Sequence, residues 1–293
     1  TILTTKVSNC FAPIPSMRRS LRAPRANAAY NGISMLLWIM SDLHLESSRG
    51  WDLPVPGMRP QFDVLVIAGD LITRMERGVA WLRERIADKP ILYVSGNHEG
   101  YGTDWKVTIE KAHAAAADSN VYVLQNDSVV IGDITFAGAT LWTDFELFDD
   151  RTRAMTCAGH AMNDYRKIRT RDYRYRLRPQ DTLLANKQSR EFFANIVRTK
   201  TTAKVCAISH HGPAPATAKL GTENDLISSA YVNGEHVDLM GGVHTWIYGH
   251  THETRDFTIG EARVVTNAKG YGLTRFHPSW ENRSFNPGFT IEI

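Results

Sequence analysis

The sequence predicts an α/β domain containing a partly parallel sheet, on three observations. Residues 63–70 read Asp-Val-Leu-Val-Ile-Ala-Gly-Asp, an almost continuous aliphatic run ending in glycine and a carboxylate, as in a strand buried on both faces. Strand and helix patterns then alternate from Met35 to residue 117, which implies right-handed βαβ units. Finally, four other strand ends deliver His, Asp or Asn: Asp42 and His44 after Leu36–Met40, Asn97 and His98 after Ile91–Val94, His210 and His211 after 205–208, and His250 and His252 after 246–248. The carboxyl edge of an open α/β sheet is where ligands bind, so five such ends read as one site.

Each element has its own signal. Strands are predicted at 36–40, 63–68 and 91–94, with a Pro-rich loop over 51–60 between the first two. Apolar Val79, Leu82 and Ile86, separated by charges, predict a helix over 75–87, and a second is expected over 108–117. The rhythm then changes to short strands at 121–124, 128–131 and 134–137, with Asn126-Asp127 and Gly132-Asp133 as expected hairpin turns. Residues 151–178 form an irregular, arginine-dense insertion with Tyr165, Tyr173 and Tyr175 interleaved. A helix over 181–197, capped by Asp181, precedes strands at 205–208, 245–248, 263–266 and 289–293.

Composition bounds the function. With 293 residues and 43% apolar content the chain can bury a sizeable core, and no apolar run approaches the roughly 18 to 20 residues that cross a bilayer. Cys10, Cys157 and Cys206 are odd in number and scattered, which fits a reducing compartment and a cytoplasmic location. Residues 1–34 carry Lys6, Arg18, Arg19, Arg22 and Arg25 and no acid, leaving the rest of the +3 chain with two more acids than bases. A globally basic nucleic-acid face is therefore not indicated. We read 1–34 as a disordered leader, the alternative being an Arg-rich organellar import signal, and 35–293 as the folded domain.

Taken singly, each motif has an ordinary reading as a capped turn or polar loop. The ordered series Asp42-x-His44, Gly69-Asp70, Gly96-Asn97-His98-Glu99, His210 and Gly249-His250-x-His252 resembles the calcineurin-like metallophosphoesterases from Met35 to the C-terminus. The resemblance implies two packed mixed β-sheets flanked by helices, with two divalent ions at the strand edge. Carried over position by position, one ion takes Asp42, His44, Asp70 and His252, and the other takes Asp70, Asn97, His210 and His250. Mixed imidazole, carboxylate and amide donors suit Mn, Fe, Zn, Co or Ni better than Mg or Ca. The implied reaction is hydrolysis of a phosphoester by a hydroxide bridging the two ions, with His98 assisting at the phosphoryl or leaving oxygen. His210 rather than His211 is the expected ligand, and His113, His160, His236, His244 and His277 are read as solvated or core residues.

Two positions depart from the family pattern. Many members carry a second acid three residues after the bridging aspartate to orient the catalytic histidine; Thr73 stands there, so backbone or water is expected to orient His98. Arg74 falls where the protein-phosphatase branch contacts phosphate, yet Gly100 and Tyr101 replace that branch's further motif. The insertion arginines could bind phosphate, but a solvated cap is the favoured reading. Residues 142–144 and 162–165 are candidates for substrate contact. The alternatives kept are a nuclease of the same superfamily and a non-catalytic scaffold on this fold.

Overall fold

The computed structural model describes residues 34–48, 50–272 and 279–293; the predicted leader, apart from its last residue, and His277 lie outside them. In chain order the strands are β1 (Leu36–Met40), β2 (Val64–Ala68), β3 (Ile91–Val94), β4 (Val121–Val123), β5 (Asp127–Ile131), β6 (Ile134–Ala139), β7 (Arg169–Thr170), β8 (Tyr175–Arg176), β9 (Lys204–Ser209), β10 (Thr245–Ile247), β11 (Thr254–Ile259), β12 (Ala262–Asn267) and β13 (Thr290–Glu292). The helices are α1 (Met75–Arg85), α2 (Trp105–Ala116), α3 (Arg151–Ala161), α4 (Asp164–Lys167), α5 (Pro179–Thr199) and α6 (Val237–Met240).

Two mixed sheets carry the fold. The first has the order β13-β1-β2-β3-β4, parallel from β1 to β4 with β13 antiparallel at its edge. The second runs β11-β12-β10-β9-β6-β5, with a parallel centre and an antiparallel strand at each edge. Side chains alternate across each strand, so one face of the first sheet, with Trp38, Met40, Leu65, Ile67 and Tyr93, packs on Val79 and Leu82 of α1 and Ile109 and Ala112 of α2. Leu37, Ile39, Val64, Val66 and Ala68 point the other way and are just as buried, which is why β2 reads as an unbroken apolar run. Each such fully buried Val, Leu or Ile contributes about 1.5–3 kcal/mol through its removal from water. The second sheet packs Ala139, Ala207, Trp246 and Val264 against Phe193 of α5 and Leu239 and Met240 of α6. Asn267 ties the sheets together, its Nδ2 donating to the Ile39 carbonyl of β1 at 2.9 Å.

Several expectations need correction. β4 and β5 are not a hairpin: β4 extends the first sheet beside β3, while β5 pairs with β6 in the second, so Asn126-Asp127 is a crossing between sheets. Alternation identifies a strand but not its partner. β11 was not expected, because its Thr-Arg-Asp-Phe-Thr-Ile sequence half-faces solvent at a sheet edge. Helix α2 starts at Trp105, where the Asp104 carboxylate accepts from the N–H groups of Lys106 and Val107 at 3.0 and 3.3 Å. Asp181 is not the cap of α5; that helix opens at Pro179, and Asp181 reaches back to accept the Arg178 N–H at 3.0 Å. The insertion is ordered as α3, α4 and the β7–β8 hairpin around its own cluster of Ala154, Ala158, Tyr165, Ile168 and Leu177. No helix among the described residues is long and apolar enough to cross a membrane.

Candidate metal centre

The loops leaving β1, β2, β3, β9 and β10 converge at one edge of the two sheets. Backbone bonds sew them together: Asp42 and His44 N–H donate to Gly69 and Asp70 carbonyls at 3.0 Å each, and Gly249 N–H to the His210 carbonyl at 3.0 Å. The packing explains the motif glycines. A Cβ on Gly96 would lie 2.1 Å from Asp70 Oδ1, and one on Gly249 would lie 2.7 Å from the Ala68 carbonyl oxygen. Five of the side chains at the centre, Asp42, His44, Asp70, His250 and His252, sit at positive φ between 46° and 70°. Such concentrated strain in non-glycine residues is a mark of a functional site.

Glu99 clasps this frame from beneath. Its buried carboxylate accepts from Asp70, Leu71 and Gly96 N–H groups at 3.1, 2.8 and 2.8 Å and from Tyr93 Oη at 2.7 Å. Burial, with the nearby Asp70 charge, pushes its carboxyl up to about 7.

Asp70 faces two groups of donors. Its Oδ1 lies 3.4 Å from His210 Nε2 and its Oδ2 lies 3.8 Å from His44 Nε2. On one side, His44 Nε2 is 3.2 Å from His252 Nε2, which is 3.3 Å from Asp42 Oδ1. On the other, His210 Nε2 is 3.0 Å from Asn97 Oδ1 and 3.1 Å from His250 Nδ1. His210, not His211, therefore meets Asp70 and Asn97; His211 Nδ1 turns to the Thr140 carbonyl at 3.2 Å. Burial pushes His211 down to about 3.

These residues fit metal ions. Ligands about 2.1 Å from one ion stand roughly 3.0–3.5 Å apart, the spacing of most of these pairs, with His44 and Asp70 wider at 3.8 Å. The tautomers fit as well. His210 Nδ1 donates to the Ala68 carbonyl at 2.9 Å and His252 Nδ1 to Glu281 Oε2 at 2.6 Å, which leaves both Nε2 lone pairs aimed inward. His250, held well below the usual imidazole range by burial and by its histidine neighbours, is a neutral donor. Buried lone pairs aimed at one another within 3.2 Å repel unless a cation or proton sits among them.

His98 stands beside these donors. Its N–H donates to Asp70 Oδ1 at 2.8 Å, and its ring stacks on Tyr101 at 4.1 Å. Its Nε2 lies 3.0 Å from Tyr271 Oη and 3.9 Å from Asp70 Oδ2. The expectation that backbone or water orients this ring is overturned: Glu46 Oε1 meets Nδ1 at 2.8 Å. Burial acts to raise the Glu46 carboxyl, but its two imidazole neighbours, His44 and His98, prevail and hold it at about 2.

Other contributing residues were missed or misplaced in sequence. Asp164 is buried, not substrate-facing; it accepts from Asn97 Nδ2 at 2.8 Å and Tyr101 Oη at 2.7 Å, and so turns Asn97 Oδ1 toward His210. Asp164→Ala should therefore weaken metal affinity about 10- to 100-fold, as loss of an outer hydrogen-bond partner does, and isothermal titration of metal into the stripped protein would measure it. Tyr165 and residues 142–144 are likewise buried, and Asp144 holds His236. The cluster of Asp144, Glu146 and His236 has its donors spent on Gly234, Arg190 and Arg151.

A cavity of about 340 Å³ opens over the centre between Tyr101, Tyr231 and Tyr271, with Met162, Asn163 and Ile227 along its wall. None of the insertion arginines lines it, and Arg74 is exposed outside it. Arg166 instead caps α3, donating to the His160 and Ala161 carbonyls at 2.8 and 3.2 Å.

Comparisons with known proteins agree with this arrangement. The family model described as calcineurin-like phosphoesterase matches residues 35–254. An uncharacterized protein of Acanthamoeba polyphaga mimivirus is 25% identical over 288 residues, covering 88% of this chain and 96% of the viral one. Among solved structures, the phosphopantetheinyl hydrolase PptH of Mycobacterium tuberculosis superposes with a TM-score of 0.63 at 18% identity, over 82% of this chain and 91% of that one. That likeness is one of fold.

Proposed function

From the premise that this chain belongs to the calcineurin-like phosphoesterases, we propose that residues 35–293 hydrolyse a small phosphoester at a centre of two divalent ions, Mn, Fe, Zn, Co or Ni. The observation that carries this reading is the position of Asp70, its two oxygens facing two separate groups of donors. Asp42, His44, Asp70 and His252 would hold one ion, and Asp70, Asn97, His210 and His250 the other, as the family pattern implies; Asp42 also stands within reach of both donor groups. When bound, such a pair supplies Lewis acidity that lowers the pKa of a water and draws charge from the phosphoryl group. The chain's own part is to orient and to move a proton. Asn97 is locked by Asp164 and His252 by Glu281, and His98, which lines the cavity with its Nε2 3.0 Å from Tyr271 Oη, would serve the leaving oxygen by general-acid donation.

The cavity limits the substrate. Among its described lining residues Lys219 is the one Lys or Arg, and it is paired with Glu281 at 2.9 Å. That suits a single phosphoryl group on a small, partly apolar body better than a polyphosphate or a nucleic-acid backbone, which needs several cations. A nuclease reading loses its support with the arginines turned away. A scaffold reading is disfavoured by a full donor set together with an oriented His98.

The test is hydrolysis of paired chromogenic phosphomonoester and phosphodiester substrates by stripped protein reconstituted separately with Mn, Zn, Fe(II) and Co. Turnover restored by metal, and preference for one ester, is the expected result. Silence with every metal on every ester, with two ions bound per chain, would move the reading to the scaffold.

A further inference from the structure

We propose that Glu46 is the positioning residue of His98, supplying from the loop after β1 the carboxylate that the loop after β2 lacks at Thr73. The inference rests on the reading of His98 as the proton donor to the leaving oxygen. Three observations carry it. Glu46 Oε1 lies 2.8 Å from His98 Nδ1, whereas its other partner, His44 Nδ1, is 3.4 Å away and outside the usual N–H···O range of about 2.7–3.2 Å. The His98 backbone is pinned by its bond to Asp70 Oδ1 and its ring face by Tyr101, which leaves the rotation of the ring in its plane to the two groups at its edge, Glu46 at Nδ1 and the neutral Tyr271 hydroxyl at Nε2. Of these, Glu46 is the charged and closer one, at 2.8 against 3.0 Å. Thr73, Glu46 and His98 border one cavity of about 470 Å³, so both loops flank the same space, but Thr73 carries no charge and its hydroxyl accepts from Arg77 Nη1 at 3.3 Å.

A carboxylate on Nδ1 fixes how the ring is turned. It keeps the Nδ1 proton in place throughout, so that the mobile proton is the one on Nε2. In the step itself the P–O bond to the leaving group breaks with its electron pair going to oxygen. The Nε2–H bond breaks, its proton joins that oxygen, and His98 is left neutral with Nδ1–H still bonded to Glu46. The attacking water forms the new P–O bond and gives up one proton to solvent, and solvent returns one proton to His98 Nε2, which closes the balance. Glu46 touches neither the reacting phosphorus nor the leaving group.

The experiment compares Glu46→Ala and Glu46→Gln with wild type in the full chain, using Mn-reconstituted protein and two esters of one phosphoryl type. One carries p-nitrophenolate, which departs without a proton; the other carries an alkyl alcohol, which needs one. Glu46→Ala should lower kcat on the alkyl ester about 100-fold while changing kcat on the nitrophenyl ester less than about threefold, with KM and metal content unchanged. Glu46→Gln, which keeps an acceptor but not the charge, should fall between. In stripped protein the downfield proton resonance of His98 Nδ1–H, assigned by its loss in His98→Ala, should move upfield or vanish in Glu46→Ala. Equal losses on both esters, an unaltered resonance, or loss of bound metal would overturn the proposal, the last by making Glu46 a support of His44. A wild-type enzyme without phosphoester turnover would defeat the functional reading instead, and the resonance still tests the contact.

Discussion

Asp70→Asn is expected to abolish turnover and to lower bound metal from two ions per chain to one or none. The side chain is 1% exposed and its two oxygens face both donor groups, 3.4 Å from His210 and 3.8 Å from His44. Asparagine matches its shape and keeps one oxygen to accept the His98 N–H, so the fold is retained and the charge alone is lost. That charge matters. Burial acts to lower His210, and it is chiefly Asp70 that holds the imidazole up at about 10 in the metal-free chain, a measure of the field at this point. The loss of activity should exceed the roughly 10- to 100-fold that follows removal of an outer hydrogen-bond partner such as Asp164. Metal content by mass spectrometry beside kcat on the preferred ester checks both halves. Near-normal turnover with two ions bound would remove Asp70 from the bridging position.

His98→Ala should separate chemistry from metal binding. Removing a general acid costs about 10²- to 10⁴-fold in kcat, and the loss should fall on kcat with little change in KM. The alanine keeps the backbone N–H that serves Asp70, so the metal ligands are left in place. The rival outcome is specific. His98, His44 and Glu46 offer three donor atoms close enough to hold an ion themselves. Metal content that drops by one ion in His98→Ala would place the histidine in a coordination shell and end its role as proton donor.

The candidate donors and their place in the fold were legible in sequence because each motif is local. A strand announces itself by an apolar run, and the residue that ends it is carried to the sheet edge whatever the rest of the chain does; this holds for Asp70, Asn97, His210 and His250 alike. The motif glycines could be recognised in the same way, though their reason, the close approach of Asp70 to Gly96 and of Ala68 to Gly249, needed coordinates.

What tertiary structure alone decided are pairings between residues far apart in the chain. Glu46 meets His98 across 52 residues, Asp164 meets Asn97 across 67, and Glu281 meets His252 across 29. In sequence each is an ordinary acid in a loop or insertion, and nothing in its neighbourhood marks it. The separation of β4 from β5 has the same origin, since periodicity records which face a strand buries but not which strand lies beside it. The sequence by itself determined which donors exist and at which sheet edge they gather. The packing of loops and insertion determined how each donor is turned, because orientation depends on hydrogen bonds that close only when distant segments meet.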